Sequence, residues 1–267
     1  MADHLRMGLQ RLVGGDWLEL AHPLAPAQRR AKVELMATQA SDFFAFEAGD
    51  DEQAIREASE ELAIEIGEEH RRQGHPLPTP AADARLHPLD AAARMVREDL
   101  CLHFERNGVP VLVAGSVCFP TRWSLAEKIG RSIDLVHGPV PGYSEALAAK
   151  VRQLLLRIKP GPGVWRQNWS IMPTDRWSLP GHHNEYLPES TAAAAMFHRT
   201  ERQTLRRLPI SNAVVFTIAV DVTPFADLEP STAGRLAEEI SLLPAEFLAY
   251  KGLADRTDVV PYLRALT

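Results

Sequence analysis

Residues 213–222, AVVFTIAVDV, restrict the fold of this chain more than any other segment. β-branched and aromatic residues follow one another there in an almost unbroken apolar run, which is typical of a buried strand. The preceding residues, 197–209, carry many charges and end in a proline. In a helix, this charged segment would place Phe197, Glu201 and Leu205 on one face. In a strand, its successive side chains would point to opposite faces. Periodicity leaves both interpretations open, and only the strand would form a hairpin with residues 213–222.

A second alternating segment, VWRQNWSIM at residues 164–172, predicts another strand. In a strand, Arg166 and Asn168 face one side of the sheet while Trp165 and Trp169 face the other. The segment VPVLVAGSVCF, residues 109–119, is apolar and β-branched, and it predicts a further buried strand.

Helical patterns occupy much of the remaining chain. Apolar spacing predicts helices over residues 50–74, 89–107, 125–137, 144–158 and 231–253. Gly108 is expected to end the second of these helices, and Ser124 with Glu127 matches a capping box at the start of the third. The order of elements indicates an α+β fold with a mostly antiparallel sheet.

Composition narrows the functional classes. The chain has 267 residues, of which 45% are hydrophobic, enough for a sizeable core. A net charge of −6 disfavours nucleic acid or an anionic membrane as the main partner. No secretory signal or membrane-spanning run is evident, so a cytoplasmic, soluble protein is expected. Two cysteines, Cys101 and Cys118, argue against a disulfide scaffold, and hydrolase and phosphate-loop motifs are missing.

Several residues are candidates for metal or haem ligation. His137 ends a predicted helix, where a histidine either compensates the helix dipole or acts as a ligand. His182, His183 and Glu185 lie in GHHNE, which is either a solvated loop or a metal site. Cys118 is either an inert core thiol or a thiolate ligand.

The polar residues of the two alternating segments form a second group of candidates. Arg166 and Asn168 share one predicted strand face, and a buried arginine must be paired or meet an anion. Glu201 and Arg202 would face opposite ways in a strand, so each needs its own partner. Two interpretations stay open, namely a structural ion-pair network and the polar wall of a functional pocket.

Three longer stretches carry a family resemblance: CFPTRWSLAEKIGRSIDLVHGPVPGY, VWRQNWSI and ERQTLRRLPISNAVVFTI. Together they resemble the haem-binding α subunit of the haem-dependent oxidative N-demethylases, over residues 109–222. The resemblance implies a PAS-like antiparallel sheet with helices on one side, extended by N- and C-terminal helices. It implies a single domain, 1–267, with a mainly helical part (1–108), a haem-binding core (109–222) and a helical extension (223–267).

The resemblance also implies an activity. Family members use haem b and O₂ to oxidise dimethylamine to methylamine and formaldehyde. Electrons come from NADPH through flavin and iron–sulfur subunits or a ferredoxin-type donor, and this chain has no flavin or iron–sulfur signature of its own. The expected function is therefore oxidation, by N-demethylation, of a small amine or a related nitrogen compound by a haem-dependent monooxygenase. A non-catalytic haem sensor or subunit is the alternative, and a relative that has lost haem is a third possibility.

Roles for individual residues follow from the resemblance alone. It makes residues 197–208 a strand and His137 the axial iron ligand, with His198 and Cys118 as alternatives. The free ring nitrogen of His137 is expected to find an acceptor in the GPVPGY turn. Arg166 is expected to contact a haem propionate or bound O₂, and Glu201 to hold a substrate ammonium. The remaining expectations are a cation–π contact from Trp169, a catalytic and haem-binding role for Arg202, and haem contacts from Asn168, Trp169 and Gln203. His198 and Thr200 depart from the family pattern.

Overall fold

The computed structural model describes residues 7–14, 16–78, 86–181 and 191–267. A seven-stranded antiparallel sheet organises these residues, with strand order β1-β5-β6-β7-β3-β4-β2. The strands are β1 (Gln10–Arg11), β2 (Phe44–Phe46), β3 (Asp99–Arg106), β4 (Val109–Ser116), β5 (Val164–Met172), β6 (Phe197–Arg207) and β7 (Val214–Pro224). The predicted α+β class with a mostly antiparallel sheet is confirmed.

Helices occupy both ends of the described chain and the connection between β4 and β5. They are α1 (Ala25–Phe43), α2 (Glu52–Arg72), α3 (Pro88–Ala93), α4 (Ile133–Val136), α5 (Tyr143–Ala146), α6 (Ala148–Arg157), α7 (Pro230–Leu242), α8 (Ala245–Tyr250) and α9 (Val259–Ala265). Within the described ranges, no helix is both long and apolar enough to span a bilayer.

The charged segment before the apolar run is a strand, β6. It pairs with β7 along its whole length, from Phe197 opposite Pro224 to Arg207 opposite Val214. A side chain of α2 holds the turn that connects β6 to β7. The Glu61 carboxylate accepts hydrogen bonds from the backbone N–H groups of residues 210 and 211, at 2.7 and 2.8 Å. Pairing with β7 therefore determines the secondary structure of a segment whose periodicity fitted both a helix and a strand.

The helix predicted over residues 89–107 is wrong. Only α3 is helical there, and β3 begins at Asp99. Asn107 and Gly108 both have positive φ, at 52° and 76°, and they join β3 to β4 in a two-residue hairpin turn. Asn-Gly is the preferred pair for such a turn, because both positions require the left-handed region. Gly108 thus ends a strand, and the sheet extends into the part of the chain predicted to be mainly helical.

The helix predicted over residues 125–137 is also much shorter than expected. Only α4 is helical, and its N-cap is Ser132, whose hydroxyl accepts from the Leu135 N–H at 3.4 Å. The Gly130 N–H donates to the Leu112 carbonyl at 2.8 Å, and the Leu112 N–H donates to the Arg131 carbonyl at 3.0 Å. Because these backbone groups bond to β4, a continuous helix from Ser124 cannot form.

The two faces of the sheet have different coverings. On one face, Leu100 and Val215 pack in the same cluster as Ile55 and Leu62 of α2. On the other face, Val214 packs against residues of α4 and α6, and Phe216 packs against the segment that follows β4. We call this second face of β5, β6 and β7 the site face, since the next section shows that the candidate site lies on it.

Candidate active site on one face of the sheet

The register of β5 and β6 brings several predicted residues together. Asn168 pairs with Glu201, and Arg166 pairs with Gln203, and directly opposed residues point to the same face. Glu201 in turn pairs with Val220 of β7, a core residue of the site face. Arg166, Asn168, Glu201 and Gln203 therefore share one face, of which the sequence predicted only the pairing of Arg166 with Asn168.

Glu201 lies at the centre of this group, and its side chain is 12% exposed. Its Oε1 accepts a short hydrogen bond from the Thr121 hydroxyl. Its Oε2 accepts from the Gln203 amide at 3.0 Å and from the Asn168 amide at 3.4 Å. A buried carboxylate needs such donors, because it has lost its hydration shell. The three donors fix the orientation of the carboxylate.

Arg199 is the fully buried cation of the site face. Its Nε donates to the Thr121 hydroxyl at 2.7 Å, its Nη2 to the Phe119 carbonyl at 2.8 Å and its Nη1 to the Arg176 carbonyl at 3.2 Å. Glu201 Oε1 is 3.9 Å from Arg199 Nε, beyond hydrogen-bond distance. Burial lowers the pKa of Arg199, and the charge of Glu201 raises it in part.

Arg166 is half-buried beside this pair. Its Nε is buried and has no hydrogen-bond partner among the described residues. Burial lowers the pKa of Arg166, and the negative charge of Glu201 partly offsets that effect. A guanidinium carries only donors, so this one suits an anionic group brought to the site face.

His137 is the C-cap of α4 and lies close enough to Arg166 for the two charges to interact. Its Nδ1 is 2.9 Å from the Ile133 carbonyl, which can only accept, so Nδ1 carries the proton. Burial, with Arg166 and Lys128 acting in the same direction, lowers the pKa of His137. The ring is therefore neutral at physiological pH, with its Nε2 lone pair available for a metal. The acceptor is the carbonyl one helical turn back, and not the GPVPGY turn that we predicted.

The alternative ligands have less suitable surroundings. His198 alternates with Arg199 along β6, so it points away from the site face, and burial lowers its pKa to about 4. Cys118 is fully buried, and burial raises the pKa of its thiol to about 12, which keeps it protonated. His182, His183 and Glu185 lie outside the described residues.

Arg202 and Trp169 point to the opposite face, as alternation predicted for Arg202 in a strand. This placement separates them from the other residues to which the resemblance gave a role at the haem. Adjacent strand residues alternate, so Arg202 cannot share a face with Glu201. Arg202 instead donates to the Asp16 carbonyl at 2.7 Å and lies over the Trp165 ring at 5.5 Å. Trp169 does take part in a cation–π contact, but the cation is Lys251, whose Nζ is 4.0 Å from the ring centroid.

Sequence reasoning gave no role to Thr121, Arg199, Tyr250 or Lys251. Thr121 bonds to Glu201, Arg199 lies 3.9 Å from it, and Tyr250 and Lys251 interact with its charge. Lys251, just after α8, donates to the Trp169 carbonyl at 2.7 Å. Burial lowers its pKa to about 8, and the charge of Glu201 partly opposes this. Burial also raises the pKa of Tyr250, with Glu201 acting in the same direction. These contacts join distant parts of the chain, so no local pattern signals them.

His103 is a further buried imidazole that the sequence did not single out. It lies on β3 at a register shift after Leu102, and its Nδ1 has no hydrogen-bond partner in the part of the chain that the structure describes. Burial lowers its pKa to about 4, and the nearby His137 contributes in the same direction. In the same described ranges, no group of three or more His, Cys, Asp or Glu residues is placed to hold a metal ion.

Comparison with known families identifies the family of this chain. The sequence model described as "Haem-dependent oxidative N-demethylase, alpha subunit-like" matches residues 31–261. The chain belongs to this family. The match runs from within α1 to within α9, so it includes β2 to β7 and every site-face residue named above. The family name implies a haem-dependent oxidative demethylase function and, through the term alpha subunit-like, an assembly with other subunits.

Proposed function

We propose that the chain is the haem-binding catalytic subunit of an oxygenase that removes an N-methyl group from a small amine. In balanced form, R₂N–CH₃, O₂, two electrons and two protons give R₂NH, formaldehyde and water. Haem b, when bound, supplies the activation of O₂, which is the oxidant. The observation that carries the proposal is the grouping on one side of the sheet of Arg166, Glu201 and a His137 whose Nδ1 bonds to a backbone carbonyl, in a member of this family.

The residues present fit a haem. A porphyrin supplies its own four nitrogen ligands, so the protein needs to add only an axial ligand. His137 has the arrangement typical of a ligating histidine, because its Nδ1–H donates to a backbone carbonyl and fixes the ring orientation. Stacking against Tyr143, with ring centroids 4.9 Å apart, restrains the ring further. His137 would therefore hold the iron, and Arg166 would pair with an anionic group such as a propionate.

Glu201 would bind the substrate. Its carboxylate is oriented by neutral donors, so an N–H of a protonated amine finds a positioned acceptor there. The charges of Arg166, Arg199 and Lys251 interact with that of Glu201. Glu201 would therefore bind and orient the amine, and not act as its base.

The two electrons are proposed to come from a partner. The chain carries no flavin or iron–sulfur signature of its own, and its family is described as alpha subunit-like. Reductase subunits with flavin and iron–sulfur centres, or a ferredoxin-type donor, would fill this role.

The test is to load the full chain with haem and record absorption spectra, ferric and reduced with CO, for wild type, His137→Ala and His198→Ala. His75→Ala is a control, because His75 follows α2 on the other side of the sheet. We expect the Soret band to change in His137→Ala alone. Wild type should then consume O₂ with dimethylamine when a ferredoxin and its reductase supply electrons.

Each result has a defined meaning. Haem binding without amine-dependent O₂ uptake would favour a sensor or a non-catalytic subunit. A Soret band that changes only in His198→Ala would move the ligand to the other face of β6. A chain that binds no haem would contradict the proposal.

A further inference from the structure

Thr121 separates the two oppositely charged side chains of the site face. Arg199 Nε donates to its hydroxyl oxygen at 2.7 Å, and the same hydroxyl bonds to Glu201 Oε1. The guanidinium can only donate, so Thr121 must accept from Arg199 and direct its own single hydrogen at Glu201. The direction of both hydrogen bonds is therefore fixed by chemistry.

Without this hydroxyl, Arg199 and Glu201 would be close enough to form a direct, hydrogen-bonded ion pair. Their nearest charged atoms, Arg199 Nε and Glu201 Oε1, are 3.9 Å apart. Arg199 is fully buried and all its described hydrogen bonds go to neutral oxygens, so its charge lacks a short ion pair among the described residues. A buried charge is strongly stabilised by a direct, hydrogen-bonded counter-ion.

The loop that carries Thr121 is anchored on both sides. Asp99 accepts hydrogen bonds from the backbone N–H groups of Cys118 and Phe119 at 2.9 and 2.8 Å. After Thr121, the Arg122 N–H donates to the Leu179 carbonyl at 2.7 Å. The hydroxyl is thus held between the two side chains by the backbone on each side of it.

We propose that Thr121 is a positioning residue that keeps Arg199 from pairing directly with Glu201, so that the carboxylate remains available to a substrate cation. The inference rests on the proposed role of Glu201 in amine binding. Carboxylates offer about four acceptor positions, and the described donors use one on Oε1 and two on Oε2. The remaining position, on Oε1, is where an N–H of the amine would bind. The ligand class is therefore an ammonium that still carries an N–H, and not a quaternary ammonium.

The experiment compares Thr121→Val with Thr121→Ser in the haem-loaded full chain. Valine removes the hydroxyl at nearly constant volume, and we expect it to weaken dimethylammonium binding by about 10- to 100-fold, the value of one hydrogen bond to a charged group. Serine keeps the hydroxyl and should stay within about threefold of wild type. Thr204→Val is the matched control, since it removes a buried hydroxyl on the other face, 2.6 Å from that of Thr217.

A double variant separates positioning from general damage. In Thr121→Val/Arg199→Met the guanidinium that would capture Glu201 is gone, so we expect binding to recover at least part of the loss. If Thr121 were only structural, the double variant would bind no better than Thr121→Val. Such a result, or unchanged binding in Thr121→Val, would overturn the proposal. Thermal unfolding of each variant confirms that the protein compared is folded.

A second measurement does not depend on amine binding. The carboxylate stretching bands of Glu201, identified in the infrared spectrum by subtraction of Glu201→Gln, should shift in Thr121→Val and return in Thr121→Ser. Bands that do not move would overturn the positioning role. If the bands shift but wild type binds no dimethylammonium, the proposed function fails while the separation of Arg199 from Glu201 stands. Tetramethylammonium is the ligand control and should not bind.

Discussion

The two faces of β6 use the same kinds of charged residue for different purposes. On the face covered by α2, Arg206 forms an ion pair with Glu65 at 2.7 Å and lies over the Trp17 ring at 4.6 Å. On the site face, Arg166 is half-buried with an unpartnered Nε, and the Glu201 carboxylate meets only neutral donors at hydrogen-bond distance among the described residues. Strand alternation divides one charged run into a structural network and a candidate site.

This division narrows the question that the sequence left open. Residues on the face covered by α2 form an ion-pair network, and the polar wall of a functional pocket stays a prediction for the site face alone. The charges of the first face are neutralised within the protein, so they contribute to stability. The charges of the second face are held near one another without direct pairing, which is costly unless something else binds there. Variants on the two faces should therefore differ in what they damage.

The largest effect is expected from Arg97→Ala, on the α2 side of the sheet. The Arg97 guanidinium is fully buried and donates to Gln28 Oε1 at 2.7 Å, to the Val220 carbonyl at 2.6 Å and to Asp221 at 2.6 Å. Its removal leaves buried acceptors unsatisfied, and we expect the free energy of unfolding to fall by about 3–5 kcal/mol. Urea denaturation measures this. A loss below about 1 kcal/mol would contradict a structural role for this face.

Glu201→Gln should show the opposite behaviour. The amide keeps the shape of the side chain but removes the charge that would hold an ammonium, so we expect dimethylammonium affinity to fall by about 100-fold. We expect the free energy of unfolding to fall by less than about 2 kcal/mol, because buried Arg199 loses a nearby negative charge but keeps its hydrogen bonds to neutral oxygens. Calorimetric titration and urea denaturation of the same preparations give both numbers. Asp221→Asn, on the other face, is the control and should leave amine affinity unchanged.

How much of the fold and of the candidate site could be predicted depends on how far apart in the sequence the interacting residues are. Alternation within residues 164–172 and the apolar run at 213–222 are local, and both gave correct strands. The Asn107–Gly108 turn is local too, and its signal was present but was interpreted as the end of a helix. By contrast, Thr121 and Glu201 are separated by 80 residues in the sequence, so their hydrogen bond follows only from the assembled sheet.

The same reasoning explains the corrections within the site. Alternation separated Arg202 from Glu201 at the level of the sequence, but the roles implied by the resemblance placed both at the haem, and only the strand register shows which face each residue occupies. Helix length could not be obtained from the capping pattern at Ser124, because residues 130 and 131 bond to β4 across the fold. Competition from tertiary hydrogen bonds is invisible to a local pattern.

A paired substitution, Arg206→Met against Arg166→Met, tests the comparison directly. Arg206 loses an ion pair and a cation–π contact, so its replacement should lower the free energy of unfolding by about 1–2 kcal/mol. The Nε of both arginines is buried without a described hydrogen-bond partner, so the ion pair of Arg206 is what differs. Burial disfavours the charge of Arg166, and its replacement should cost less than about 0.5 kcal/mol. Equal losses in urea denaturation would mean that the two faces are not functionally distinct.

The smallest expected effect is a pH dependence of the free energy of unfolding that comes from Lys251, whose charge interacts with Glu201. Burial lowers the pKa of Lys251 from its ordinary value of 10.5 to about 8 in the folded chain. Between these two values the unfolded chain binds the proton more completely than the folded chain, so the Lys251 contribution to stability rises with pH from about 8 to about 10.5. Below pH 8 both states are protonated, and the cost of burying the charge is fully present. Lys251→Met should remove this rise when urea denaturation is compared at pH 7, 8, 9 and 10, whereas Lys150→Met, an exposed lysine of α6, should keep it. An identical pH profile for wild type and Lys251→Met would mean that the ammonium over Trp169 is solvated as well in the folded chain as in the unfolded one.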